Sequence, residues 1–212
     1  MANFHEINFL KRLVRKNKII ADEVVDVGVR AGTPSLYQSF TAAKFFLVDP
    51  PKGGESLLEE RPQNFEFLNI GLGSVPGKCI LNEQGGKSSV LERTPITTGK
   101  IIEKYEFEVS TLDNLIGERL HSHNIGLKID TEGYELEIVK GLNDHCERVS
   151  FIIAEVSVRK RFVDSYGFHE LVNALWDRGF SFYTVVSPQT QSLFITICCF
   201  YRYLIRCCNK SI

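Results

Sequence analysis

No stretch of this chain reaches the ~18 uninterrupted apolar residues that a spanning helix needs, which argues against an integral membrane protein. Asn3, His5, Glu6, Asn8, Lys11 and Arg12 interrupt every apolar stretch before Val24. The apolar core of a cleavable signal is therefore missing, and a cytoplasmic location is expected. The charge excess that draws a protein to nucleic acid is missing as well, the formal net charge being -1. The 6 cysteines include the adjacent pairs Cys198-Cys199 and Cys207-Cys208 but no CxxC spacing, and no histidines stand at zinc-site distances from them, so reduced thiols are expected. There is no internal repeat, low-complexity tract or linker. What remains is an ordinary globular composition, 43% hydrophobic and 24% charged, in 212 residues that suit a single domain with one sizeable core.

Hydrophobic periodicity divides the chain into alternating strands and helices. Phe4, Ile7, Leu10, Leu13, Val14 and Ile19 recur at near-helical spacing among Lys and Arg, predicting an amphipathic N-terminal helix over residues 1–20 that covers a sheet edge. Val24 to Val27 reads as a buried strand running into Gly28 and Gly32, after which Thr33-Pro34 opens a helix with Leu36, Tyr37 and Phe40. Lys44 to Val48 and Phe65 to Ile70 are strands, with a short helix between them over residues 52–61. Residues 74–110 show only short strand-like pieces between glycine turns. Ser110-Thr111-Leu112-Asp113 has the form of a capping box ahead of a helix through Leu115 and Ile116. A strand over 125–130, a helix to Gly141, a strand over 151–156, a helix from Phe168 to Trp176, and strands over 180–186 and 193–200 complete the pattern. This alternation predicts an α/β fold, a doubly wound, mostly parallel sheet with helices on both faces, its core spanning residues 21–186.

Two strand ends carry the residues that chemistry would need. Leu127-Lys128-Ile129-Asp130-Thr131-Glu132-Gly133-Tyr134-Glu135 ends an apolar strand in an acidic cluster, and in an open α/β sheet ligands bind at such an end. Alternation puts Lys128 and Asp130 on one face. Asp26-Val27-Gly28-Val29-Arg30-Ala31-Gly32 marks the first strand-to-helix turn, where missing Cβ atoms let a ligand approach the backbone. It is not GxGxxG, which disfavours a dinucleotide and the oxidoreductase that would use one. The second strand ends in Asp49, where a doubly wound fold places a carboxylate on a ribose diol.

The order Val25-Asp26-Val27-Gly28, Gly32-Thr33-Pro34, Phe46-Leu47-Val48-Asp49-Pro50, Ser110-Thr111-Leu112-Asp113, then Lys128-Ile129-Asp130-Thr131-Glu132-Gly133-Tyr134-Glu135 with Lys140-Gly141, resembles the FkbM family of S-adenosylmethionine-dependent methyltransferases. Glu155-Val156-Ser157 and Arg178-Gly179-Phe180 extend the match, which covers roughly residues 20–186. The resemblance implies a Rossmann-like class I methyltransferase fold with S-adenosyl-L-methionine as cofactor. Its methionine part would lie near Asp26, Gly28 and Gly32, its ribose at Asp49, and its adenine along the loop containing Asn69, Gly71 and Ser74. Family members are associated with O-methylation, often of sugar or natural-product hydroxyls, so a small hydroxyl-bearing acceptor is implied. The chain departs from many relatives in having Arg30 where they have Asn and Asp49 where they have Glu.

Methyl transfer is an in-line displacement on a sulfonium, so the protein must align acceptor and donor and assist loss of a hydroxyl proton. Asp130 is the leading candidate for that task, with Lys128 favouring its ionised form and Glu155 and Glu132 as further candidates. An ordinary helix cap is the competing reading of Asp130, Thr131 and Glu132. Glu135 and Glu137 are expected in solvent, and Asp113 in the capping box. Convergence of Asp130, Glu132 and Glu155 would also suit a carboxylate-bound divalent metal. Gly85-Gly86-Lys87-Ser88 is not a phosphate loop, because Leu81 stands where its first glycine belongs, and His121 and His123 read as exposed loop residues. From Ser187 onward acidic residues are absent, and Arg202, Arg206 and Lys210 lie among aromatics and cysteines. That segment, residues 187–212, reads as a final strand with a basic aromatic tail, or alternatively as a peripheral membrane contact. The alternative to an enzyme is a non-catalytic binding module on the methyltransferase fold.

Overall fold

The computed structural model describes residues 4–84, 88–95, 101–158, 160–186 and 195–202. Its strands are β1 (Glu23–Val27), β2 (Lys44–Val48), β3 (Phe65–Leu68), β4 (Gly71–Leu72), β5 (Gly77–Glu83), β6 (Glu103–Ser110), β7 (Ile125–Ile129), β8 (Val149–Ser157), β9 (Phe180–Val185) and β10 (Ile195–Arg202). Seven of them form one sheet in the order β3-β2-β1-β7-β8-β10-β9. The pairings from β3 through β8 are parallel, and β10 is antiparallel to both neighbours. The chain winds outward in both directions from the β1–β7 pair, so their C-terminal ends form a topological switch point.

Period-two alternation decides which side chains face which layer. Val25, Val27, Phe46, Leu127, Ile129 and Ile152 join a core with residues of α3 (Leu112–Arg119), α4 (Glu135–Lys140) and α5 (Phe168–Trp176). Their sequence neighbours Val24, Phe45, Leu47, Phe151 and Ile153 point the other way, into a second core with Leu10 of α1 (Phe4–Asn17) and Leu36 and Tyr37 of α2 (Pro34–Tyr37). Both faces are thus covered, as parallel strands buried on two sides require.

Several local features differ from the sequence expectation. Helix α1 places Leu10 in the core of a sheet face, and its Asn17 Oδ1 accepts from the Tyr183 hydroxyl of the edge strand β9. Helix α2 is a single turn that gives way to turns before Phe40, and residues 52–61 hold only the 3₁₀ turn Gly54–Leu57. The N-cap of α3 is Thr111, whose Oγ1 accepts the Asn114 N–H, so the box is shifted by one residue. Asp113 instead accepts the backbone N–H groups of Asn143, Asp144 and His145, joining α3 to the loop after α4. The loosely patterned region supplies β5 and β6, which join β4 in a second sheet of order β4-β6-β5. The final strand runs from Ile195 to Arg202, two residues later than expected. Gly85 to Lys87 and the tail beyond Arg202, with Cys207 and Cys208, lie outside the described residues. Among the described residues no helix is long and apolar enough to cross a membrane.

One glycine sets the spacing of the central strands. An added Cβ at Gly126 would lie 2.3 Å from the ring of Phe151, which itself stacks on Phe40 at 5.1 Å. Gly126→Ala is expected to cost about 1–3 kcal/mol by overpacking. Urea unfolding should show a lower midpoint at an unchanged slope, and an unaltered midpoint would contradict this packing.

Candidate active site

The sheet face that buries Val24, Phe45 and Phe151 turns polar at its C-terminal end. Two residues farther along β1 the same face carries Asp26, and alternation brings Lys128 and Glu155 to it from β7 and β8. Asp26 and Lys128 are register partners, with Lys128 Nζ 3.0 Å from Asp26 Oδ1 and 3.8 Å from Asp130 Oδ2. The same ammonium donates to the Gly28 carbonyl at 2.9 Å, and the Tyr37 hydroxyl donates to Asp26 Oδ2 at 3.0 Å. Burial opposes the charge on Lys128, but Asp26, Asp130 and Asp49 outweigh it and raise the lysine's pKa. Asp26 is fully buried and absent from the cavity wall, so it acts on that wall through Lys128 and Tyr37.

The glycines of the first turn serve the chain's own close contacts. A Cβ on Gly28 would come within 1.8 Å of the Asp130 carbonyl oxygen, and one on Gly32 within 2.4 Å of the Glu60 carbonyl oxygen. Both have positive φ, +77° and +110°. The missing Cβ atoms let this turn meet two other segments of the chain, and the backbone so placed lines the cavity. Arg30, between them, adopts the left-handed region with φ 48°. That conformation suits asparagine better than most residues. Its backbone N–H donates to Asp49 Oδ2 at 2.6 Å. Asp49 sits on the cavity wall, and burial pushes its pKa up to about 6 despite this hydrogen bond and the nearby Lys128.

The loop after β3 divides its roles. Gly71 lies on the cavity wall, and a Cβ there would meet the Phe107 ring at 2.2 Å. Asn69 donates to the carbonyls of Asp49 and Pro51 at 2.9 and 2.7 Å, bracing the turn that presents Asp49 from outside the wall. Ser74 points to α4, where its hydroxyl donates to Glu137 at 2.8 Å, and it does not line the cavity.

Beyond β7 the chain turns sharply. Glu132 has φ 54° and Gly133 φ 102°. Helix α4 begins only at Glu135, so Asp130 is not its cap. Glu135 is 1% exposed, contrary to its expected place in solvent. It accepts the N–H groups of Thr131 and Gly133 and the Tyr166 hydroxyl, tying the acidic loop to α4 and to the segment before α5. Burial raises the Glu135 pKa against these hydrogen bonds. Asp130, Glu132 and Glu155 all line the cavity. Arg161 donates to Glu132 Oε2 and Glu155 Oε2, both at 2.9 Å, and to the Ser157 hydroxyl at 3.2 Å. Glu132 and Glu155 thus converge on a guanidinium, and among the described residues no group of three ligands is arranged for a metal ion. Burial and the charge of Asp130 push the Glu155 pKa up to about 9, although Arg161 opposes the shift.

Sequence reasoning missed Tyr37, Arg161, Glu135 and Tyr166. Tyr37 was legible as a buried helix residue, but its hydroxyl partner was not. Arg161 follows β8 in irregular chain with no periodic signal, and its partners lie 6 and 29 residues away. His121 and His123 are exposed, as expected of loop residues.

These walls enclose a cavity of about 860 Å³, within the range of small-molecule sites, at the switch point of a doubly wound sheet. Its apolar stretch includes Pro50, Pro51, Ile70, Leu72 and Phe107, and its polar stretch runs from Asp49 to Glu155. Such a fold and crevice define a Rossmann-like protein of the class I methyltransferase type. The model of the methyltransferase FkbM domain matches residues 26–182, and the chain belongs to that family. It is 30% identical over 146 residues to the hexuronic acid methyltransferase AglP of Haloferax volcanii, a match covering 64% of this chain and 56% of that protein. The chain therefore matches little more than half the length of this curated relative. Magnesium protoporphyrin IX methyltransferase from Synechocystis PCC 6803, solved with bound SAH, superposes with a TM-score of 0.54 at 11% identity, over 96% of this chain and 89% of that one. The Methanococcus jannaschii fibrillarin pre-rRNA processing protein gives 0.53 at 10% identity, over 86% and 66%.

The buried Glu135 carboxylate accepts from the backbone N–H and hydroxyl of Thr131, the N–H of Gly133 and the Tyr166 hydroxyl. Glu135→Ala is expected to destabilise the protein by about 3 kcal/mol, because buried donors lose their acceptor. Glu135→Gln, which keeps an acceptor oxygen, should recover more than half of that loss in urea unfolding. A loss below about 0.5 kcal/mol in the alanine variant would show the carboxylate to be dispensable.

Proposed function

We propose that the chain is an S-adenosylmethionine-dependent O-methyltransferase acting on a hydroxyl of a sugar or other small polar metabolite. The observation that carries this reading is Asp49, a buried carboxylate on the cavity wall at the end of β2, oriented by the backbone of the glycine turn beside it. The donors fit the cofactor: Asp49 suits the ribose diol, the apolar slot from Pro50 to Phe107 suits an adenine ring, and the acidic wall suits a sulfonium. Gly28, Gly32 and Gly71 would bound the cofactor with backbone. Asp26 would act through Lys128, and Asn69 would support Asp49 rather than touch the ligand.

When bound, the cofactor would supply a methyl group on a positively charged sulfur, open to in-line displacement by the acceptor oxygen. The chain's own task is to place the acceptor and take its proton. Asp130, 37% exposed and 3.8 Å from Lys128, is the carboxylate we assign to that proton. Glu155, whose pKa burial pushes up, serves as a hydrogen-bonding wall. Glu132 shares Arg161 with it. No step in this reading requires a metal or a nucleic acid. The acidic crevice supports a small-molecule acceptor, and a cytoplasmic location is part of the same proposal.

Calorimetry with S-adenosylhomocysteine tests the cofactor assignment. Asp49→Ala should weaken binding on the order of 100-fold, the loss of two hydrogen bonds to a charged group. The ribose hydroxyls donate to the ionised carboxylate, so proton and ligand compete at Asp49. Wild-type affinity should be level above pH 6 and fall about tenfold per unit below it, while Asp49→Asn removes that slope. Equal affinity in wild type and Asp49→Ala, or binding independent of pH between about 5 and 7, would refute the ribose assignment.

A further inference from the structure

The far end of the cavity carries a built acidic wall. Glu132 and Glu155 have side chains only 18% and 15% exposed, and each gives one oxygen, Oε2, to the single guanidinium of Arg161. Arg161 is itself 7% exposed on its side chain and stands behind the two carboxyls rather than on the cavity wall. Glu132 is further pinned by the Ser89 hydroxyl, which donates to its carbonyl at 2.8 Å, and by Arg93 at 3.9 Å from Oε2. Asp130 lines the same wall, and its charge reaches both carboxyls. Among the described residues the cations on the cavity wall are Arg30 and Lys128, and the Lys128 ammonium is engaged by Asp26, the Gly28 carbonyl and Asp130.

We propose that Glu132 and Glu155, locked in place by Arg161, form the acceptor-recognition wall of this cavity and select a polyhydroxy acceptor that bears no anionic group. This inference rests on the methyltransferase reading above and adds the charge class of its acceptor. Carboxyl oxygens held rigidly in a partly dry wall accept hydrogen bonds from neighbouring hydroxyls, and a neutral carboxyl also donates one. Burial first, then the charges of Asp130, Glu132 and Glu135, push the Glu155 pKa up to about 9, although Arg161 opposes the shift. A site that does not ionise its own carboxyl opposes the entry of another carboxylate, whereas an amino group adds no such conflict. The hexuronic acid named for the relative at 30% identity is the kind of acceptor this wall disfavours.

The test is methyl transfer from radiolabelled S-adenosylmethionine to a panel of methyl hexopyranosides in gluco, galacto and manno forms, with the matching uronates and amino sugars. The neutral member of the best-used series should exceed its uronate in kcat/KM by about tenfold or more, with the amino sugar at least equal to the neutral one. Glu132→Gln keeps the shape and a hydrogen bond to Arg161, and it should shrink that gap by about threefold or more. A uronate used as well as its neutral partner, or a gap unchanged in Glu132→Gln, overturns the proposal. Binding of S-adenosylhomocysteine with no turnover of any member also overturns it. Absence of cofactor binding would instead defeat the methyltransferase reading on which it rests.

Discussion

The crevice depends on one buried ion pair. Lys128 and Asp26 face each other across the only strand pair from which the sheet winds in both directions, and both are removed from water. Taking two charges out of water costs several kcal/mol per ion, so such a pair persists only with good geometry and added hydrogen bonds. Here the Tyr37 hydroxyl donates to the carboxylate, and the Gly28 carbonyl accepts from the ammonium. Those extra contacts couple the pair to α2, to the glycine turn and to Asp130. The pair is thus less a contribution to net stability than a device that fixes where three cavity segments stand.

Around this pair, the site is made by close backbone approach and uncommon backbone conformations. Gly28 lets the first turn touch the Asp130 carbonyl, and Gly32 lets it touch Glu60. Arg30 and Glu132, both non-glycine residues with positive φ, line the crevice. Left-handed conformations of such residues cost of order 1–3 kcal/mol and persist where surroundings over-determine them. At Arg30 the N–H reaches Asp49, and at Glu132 the side chain reaches Arg161. In both places an unfavourable backbone goes with a hydrogen bond that fixes a carboxylate of the cavity wall.

Much of this was legible from residue pattern. The central strands and α5 lie close to where periodicity puts them, because a strand buried on both faces and an amphipathic helix leave strong local signals. The second sheet was not legible, since β4 is two residues long and β5 and β6 are half exposed with weak alternation. In the crevice, the strand ends at Asp49 and Asp130 were visible as charges closing apolar runs. Whether a charge faced ligand or protein was not, because that depends on partners distant in sequence. Asp26 and Glu135 turned inward to Lys128 and Tyr166, Ser74 turned to Glu137, and Arg161 gave no local signal at all. Glycine identity pointed correctly to close approach but not to what approaches.

The central claim is that the Asp26–Lys128 pair organises the cofactor crevice, and a double-mutant cycle on the two residues tests it most directly. Asp26→Asn and Lys128→Met should each lose about 3–5 kcal/mol in urea unfolding, since each leaves a buried charge unpaired. The double variant, with neither charge, should regain most of that stability yet bind S-adenosylhomocysteine at least about tenfold more weakly than wild type. Single variants as stable as wild type, or a stable double variant with undiminished cofactor affinity, would contradict the account.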